Sequence, residues 1–278
     1  MTRSTAQNAT LALLLEVSGT PKPGNVDRER EYDDLRFEHF LAGAVGALDG
    51  FDLAATGAPV GQSFERAVAG MSQQRGGNTQ FGAILLVTPL VAATARGDCT
   101  PEGTRQIVGE TTVDDAVHFY RAFDHVDVSV DDPPEGMETL DVRRGSDAES
   151  AIRDRGLTLA DVMERSAEGD GIAAEWVDGF PRTFEGAQAL ELSDGAITHR
   201  TSALFLAFLA REVDTFVVTQ HDAATALEVR DRARAVLEGE EDPYELAEEL
   251  VQRDINPGTT ADIVAGALFV ALEDGLVV

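Results

Sequence analysis

An all-α fold, one large multi-helix bundle of about a dozen helices, is predicted by three features of this 278-residue chain. Apolar residues recur at helical spacing in nearly every segment. The joints between segments are short and built of Gly, Pro, Asp or Ser. Only Val126 to Val130 alternates as a strand would, and it is expected to form one short strand.

Taken in order, Thr5 to Val17 reads as a helix that stops at Ser18-Gly19. Glu16 falls in its last turn, where the negative helix end disfavours a carboxylate, so a partner such as a metal ion is expected for it. In Thr20 to Asp27, Pro21 and Pro23 forbid helix and hold the chain extended. After the charge run Arg28 to Asp34, a helix is expected over Leu35 to Leu48, carrying Phe37, Phe40, Leu41 and Val45. Gly57 to Gly61 is a turn, and Phe64 to Met71 leads into the stretch Gln73 to Gly97. There Arg75, Gly76 and Gly77 turn the chain, Asn78 and Thr79 supply capping side chains, and Phe81 to Ala95 is too apolar for a surface helix. Backbone N–H groups at the head of such a buried helix can face a phosphate or carboxylate.

Thr100-Pro101-Glu102 has the pattern of an N-cap and first turn, and Thr112 with Asp114 and Asp115 opens a helix to about Asp124. Asp131 to Ser146, with Pro133-Pro134-Glu135-Gly136, is the expected loop or lid, and its length suggests a functional one. Helices follow over Ala148 to Arg155, Leu159 to Ala167, Ile172 to Val177, Arg182 to Leu192, Ala196 to Arg211, Ala223 to Leu237, Tyr244 to Arg253 and Thr259 to Leu276. The last repeats the chemistry of the central one. Asn256-Pro257-Gly258 stops the preceding element, Thr259 or Thr260 caps the next, and Asp262 enters its first turn. No repeat of fixed period is present, so residues 1–278 are expected to form a single domain.

The chain carries 50 acidic against 22 basic residues, a formal charge of -28. Such a surface repels nucleic acid and anionic membranes, and neither is an expected partner. No apolar run spans a bilayer and Met1 to Thr10 lacks a signal-peptide profile, so a cytoplasmic protein is expected. Cys99 is alone and excludes a disulfide framework. The excess of acids, with 21 Arg to a single Lys, looks like the proteome of a salt-adapted archaeon, in which most carboxylates are hydrated surface charges.

That bias makes the rare residues informative. Asn occurs four times, and Asn25, Asn78 and Asn256 lie in the three stretches that border helix ends. Lys22, the only lysine, lies in the first, where a compact point charge suits a phosphate better than a guanidinium does. The three stretches are therefore expected to meet at one polar pocket.

These residues carry a resemblance. Glu16 with KPGNVD at 22–27, GGNTQFGAILL at 76–86, GLTLADVM at 156–163 with Glu175-Trp176, and NPGTTADIVAGALF at 256–269 resemble the triphosphoribosyl-dephospho-CoA synthase family over about residues 10–275. The resemblance implies an all-α transferase that joins ATP to 3′-dephospho-CoA and releases adenine. It also implies a site in which Asp27 and Asp262 serve catalysis, and in which Lys22, Asn25, Asn78, Thr79, Asn256 and Thr259 bind substrate. Mg²⁺ would be held by one or two of Glu16, Asp27 and Asp262 together with phosphate oxygens, offsetting the repulsion between a nucleotide and so acidic a protein.

Displacement at C1′ of the ribose passes through an oxocarbenium-like centre, which calls for a nearby carboxylate, a base for the incoming hydroxyl and neutralisation of the triphosphate. The chain departs from bacterial members at two places. Glu31-Tyr32-Asp33-Asp34 stands where they place a histidine and an acid, and Gln80-Phe81 stands where they read His-Lys. Transfer of a ribosyl, phosphoribosyl or nucleotidyl group onto another cofactor precursor, and nucleotide binding without turnover, are the alternatives.

Overall fold

The computed structural model describes residues 3–133 and 136–278. Met1 and Thr2 of the Met1 to Thr10 segment, and Pro134 and Glu135 of the expected loop, lie outside the described residues. Among those described there are 15 α-helices, three short 3₁₀ turns and no strand. No helix among them is long and apolar enough to cross a membrane.

The N-terminal half holds α1 (Thr5–Ser18), α2 (Phe37–Ala55), α3 (Val60–Met71), α4 (Phe81–Ala95), α5 (Pro101–Gly109) and α6 (Val113–Arg121). After 3₁₀ turns at Ala122–Asp124, Glu138–Leu140 and Val142–Ala148 come α7 (Glu149–Arg155), α8 (Leu159–Ser166), α9 (Gly171–Asp178) and α10 (Pro181–Leu192). The chain closes with α11 (Ile197–Arg211), α12 (Thr215–Gln220), α13 (Ala223–Glu238), α14 (Pro243–Gln252) and α15 (Gly258–Glu273).

Two helices hold the centre. In α4 every residue from Ala83 to Ala93 is buried, and in α15 so is every residue from Ile263 to Leu272. They pack on each other and on α1, and α15 also packs on α10 and α11. Pro89 lies inside α4 and has no N–H to give to the Leu85 carbonyl four residues back. That carbonyl accepts from Trp176 Nε1 at 3.2 Å instead, so the proline's missing bond becomes the tie between α4 and α9. On the other side, α2 and α3 touch backbone to backbone. A Cβ on Gly70 would stand 1.9 Å from the Gly46 carbonyl oxygen, so only glycine permits that approach.

Two expectations are corrected. Val126 to Val130 forms no strand, because no second strand lies beside it to complete a ladder; the segment runs irregularly, with Val128 packed on the core. The six-residue helix α12 was not foreseen, since Phe216, Val217, Val218 and Thr219 read as β-formers while the Asp214 side chain caps the helix from Phe216 N and Val217 N. The expected loop after Asp131 is partly wound into the 3₁₀ turns, with Tyr120 Oη donating to Leu140 O at 2.8 Å.

Candidate active site

The first loop is shaped by Asp27. Its Oδ2 accepts from Thr20 Oγ1 at 2.9 Å and Lys22 N at 3.1 Å, and its Oδ1 accepts from Glu29 N at 2.8 Å and Arg30 N at 2.9 Å. These four bonds curl residues 20–30 around one carboxylate. Gly24, at φ 75°, sits so close to the last turn that a Cβ would stand 2.2 Å from Ile255 O. The loop is thus docked on the start of α15, and Asn25 Nδ2 donates to Asn256 Oδ1 at 2.9 Å across the joint.

Beneath that joint Lys22 is completely buried. Its ammonium is ion-paired with Glu16 and donates to Asn25 Oδ1 at 2.9 Å, with the Phe205 ring 5.9 Å away. Burial pushes the Glu16 carboxyl above its ordinary value, and the Lys22 charge and hydrogen bond pull against that rise.

The heads of α4 and α15 face each other. Asn78 Oδ1 accepts from Phe81 N at 3.1 Å, but the expected Asn78-Thr79 cap is met only in part: Gln80 is the N-cap residue and makes no side-chain capping bond, and Thr79 Oγ1 is buried without a partner. At α15 the expected cap differs: neither Thr259 nor Thr260 precedes the helix, and Asp214 Oδ2 takes both Thr260 N and Thr260 Oγ1 at 2.7 Å. Asp262 is the fifth residue of α15 rather than a first-turn acid. Its carboxylate therefore leaves its own helix end and meets the head of α4, where its Oδ2 lies over Gly82 and the Ala83 N–H acts to lower its pKa. Enclosure by protein, then the negative charges of Glu16 and Asp214, hold its pKa well above the usual carboxylate range. Burial likewise raises Asp214 despite its four donors, and Asp170, which caps α9 through Ile172 N and Ala173 N.

A cavity of about 500 Å³ opens at this meeting point. Glu16, Asn25, Asn78, Thr79, Asn256, Thr259 and Asp262 all line it, so the three stretches converge. Lys22 and Asp27 do not line it: the first lies beneath, and the second is occupied by the loop it holds. Asp131, Asp170, Thr215 and Arg165 also face the cavity and were missed from sequence, because in so acidic a chain nothing distinguishes those acids from surface charges. Much of the remaining lining is apolar, with Phe81, Phe119, Phe123, Met137, Leu140 and Met163. Phe81 and Phe123 meet edge to face at 4.9 Å. Glu175, quoted in the motif with Trp176, lies elsewhere, its carboxylate taken by Arg182 and Thr183 at the head of α10. A second cleft of about 420 Å³, between the end of α2 and α5, contains none of the predicted residues.

The donor set at the cavity is all oxygen, which suits a hard cation. Among the described residues no three or more His, Cys, Asp or Glu side chains form a cage. Mg²⁺ commonly uses one or two carboxylates with phosphate oxygens, and the Asp262 and Glu16 side chains that line the cavity fit that donor type.

Fold and cavity together define an all-helical protein with a cavity at the heads of its two central helices. The chain belongs to the CitG family, ATP:dephospho-CoA triphosphoribosyl transferase, whose pattern matches residues 2–277. It is also similar to a crystal structure described as a triphosphoribosyl-dephospho-CoA synthase from Archaeoglobus fulgidus, with 27% identity and a TM-score of 0.67 over 84% of this chain and 99% of that one. A search of curated proteins gave no match.

Proposed function

We propose that this chain moves the 5-triphosphoribosyl group of ATP onto a hydroxyl of 3′-dephospho-CoA and releases adenine. One observation carries the reading beyond family membership: residues from three distant loops line one cavity that pairs carboxylates and amides with an apolar wall. In the reaction the bond between ribose C1′ and adenine N9 breaks with its electron pair going to adenine, a C1′–O bond forms to the acceptor, the hydroxyl proton passes to a base, and adenine takes up one proton as it leaves, so the protons balance.

Asp262 stands at the reacting centre in this reading, where its charge offsets the oxocarbenium-like carbon. Asp170 is the base: its Oδ1 is held by two backbone N–H groups, its Oδ2 is free, and its raised pKa brings its proton affinity closer to neutrality. Mg²⁺, held by the cavity-facing oxygens of Glu16 and Asp262, would neutralise the triphosphate. Asp27 is reassigned from catalysis and metal binding to shaping the loop, and Lys22 from substrate contact to pairing with Glu16. The aromatic wall receives the adenine ring or the pantetheine arm, and the segment 131–146 acts as the lid over it, within a single domain. The acidic surface supports a cytoplasmic enzyme of a salt-adapted cell. Incubation with ATP, Mg²⁺ and dephospho-CoA, followed by chromatography for adenine, tests the reading. Because Phe81 replaces a lysine of bacterial members in the cavity wall, a parallel arm with other pantetheine-bearing or nucleotide acceptors tests for transfer to a different precursor.

A further inference from the structure

The neutral polar groups of the cavity have a fixed polarity, and one buried lysine sets part of it. An ammonium and a backbone N–H can only donate, so each determines which end of a neighbouring amide faces it. Lys22 donates to Asn25 Oδ1, which turns Asn25 Nδ2 outward; that nitrogen donates to Asn256 Oδ1. The end of Asn256 left toward the cavity is therefore its NH₂. Phe81 N–H does the same to Asn78, occupying Oδ1 and leaving the second NH₂. Thr215 Oγ1 accepts from Gly171 N at 3.0 Å and Thr259 Oγ1 accepts from Phe216 N at 3.2 Å. The two hydroxyls are 3.0 Å apart, so one proton bridges them and the other is free to donate.

A cavity whose charged side chains are nearly all acids thus presents uncharged donors from the heads of α4, α12 and α15, each with its acceptor already occupied. We propose that Asn78, Asn256 and the Thr215–Thr259 pair hold a polyphosphate through N–H and O–H donors, with Lys22 as a positioning residue that acts through Asn25 and never touches the ligand. This deepens the transferase reading and rests on it for the identity of the ligand. Neutral donors bind phosphate oxygens without neutralising the carboxylates that the same cavity needs, and Arg165 is the one basic side chain among the described lining residues.

The logic gives an unusual variant. Asn25→Asp keeps an acceptor for Lys22 but presents a second acceptor to Asn256, which must then turn its NH₂ away from the cavity. The test is calorimetric titration of the full chain with inorganic tripolyphosphate in Mg²⁺ and molar KCl, each variant first checked by thermal melting. Asn256→Asp, of equal shape but without the donor, and Asn25→Asp should each weaken binding at least tenfold. In an Asn256→Ala background, Asn25→Asp should cause no further loss.

Equal loss in both backgrounds would mean that the added charge alone acts, and overturns the relay. Unchanged affinity in Asn256→Asp overturns the donor assignment. Adenine release by a wild-type chain that does not bind tripolyphosphate overturns this inference and leaves the transferase reading in place. Binding that follows the predicted pattern upholds the inference even if no acceptor yields adenine, an outcome that defeats only the transferase reading.

Discussion

Asp262 and Gly82 meet where the two central helices pack: a Cβ on Gly82 would stand 2.0 Å from Asp262 Oδ2. The carboxylate of α15 therefore rests where a side chain of α4 is missing, at the head of α4 beside Ala83. A helix N-terminus usually receives such an acid from its own first turn; here it comes from 180 residues downstream, a separation of the same size as that between Gly82 and Asp262 in the sequence.

Gly82→Ala should displace the carboxylate without harming the helix, since alanine favours α-helix by about 1 kcal/mol over glycine. Adenine release should drop about a hundredfold, the order of loss expected from a misplacement near 1 Å. Thermal melting should be unchanged or slightly higher. Full activity in Gly82→Ala would remove Asp262 from the reacting centre.

The fold was legible because its determinants are local. The span Phe81–Ala95 follows directly from a run of apolar residues behind an Asn-Thr head, and Thr100 and Thr112 cap the helices they precede. The convergence of three loops was legible through rarity, since a chain that has discarded Asn and Lys keeps them where they have partners. Roles were less so. Lys22 and Asp27 look like ligands in sequence, but their partners, Glu16, Asn25, Thr20 and three backbone N–H groups, are fixed by loop geometry that no spacing encodes. Asp170 and Asp214 were hidden among 50 acids and are distinguished only by what surrounds them.

The raised pKa of Asp262 has a consequence for stability. Its folded value lies above the unfolded one, so the proton it retains contributes stability below about pH 4, the ordinary aspartate value, and that contribution is lost as pH rises through the folded pKa. In EDTA, the melting temperature should fall as pH rises from about 4 through the folded pKa of Asp262. Asp262→Asn should flatten that fall and melt higher at pH 7, by about 2–4 °C per kcal/mol recovered, while abolishing adenine release. A variant whose melting curve tracks the wild type at every pH would show that Asp262 carries no such penalty.

Glu16→Gln leaves the Lys22 ammonium fully buried with no counter-charge. Breaking a buried pair in this way costs about 3–5 kcal/mol. Denaturant unfolding should show that loss, and Glu16→Gln combined with Lys22→Met should recover most of it. A single variant within about 1 kcal/mol of wild type, the scale of an exposed pair, would mean that water reaches Lys22.

Salt should stabilise the fold. With a formal charge of -28, mutual repulsion is reduced as the Debye length falls to about 3 Å at 1 M. The melting temperature should climb between 0.1 M and 2 M KCl, to about the scales at which screening is weak and nearly complete; a flat response would show that the surface ion pairs, such as Arg232 with Glu241 and Glu249, already balance the repulsion.

The central claim is group transfer from ATP at C1′, and mass spectrometry of a complete reaction tests it most directly. With ATP, Mg²⁺ and dephospho-CoA, the account predicts one adenine released for each dephospho-CoA that gains the mass of a triphosphoribosyl group, with neither product formed when Asp262→Asn replaces the wild type. Formation of AMP, ADP or diphosphate in place of adenine, or adenine released without a matching adduct, would contradict it.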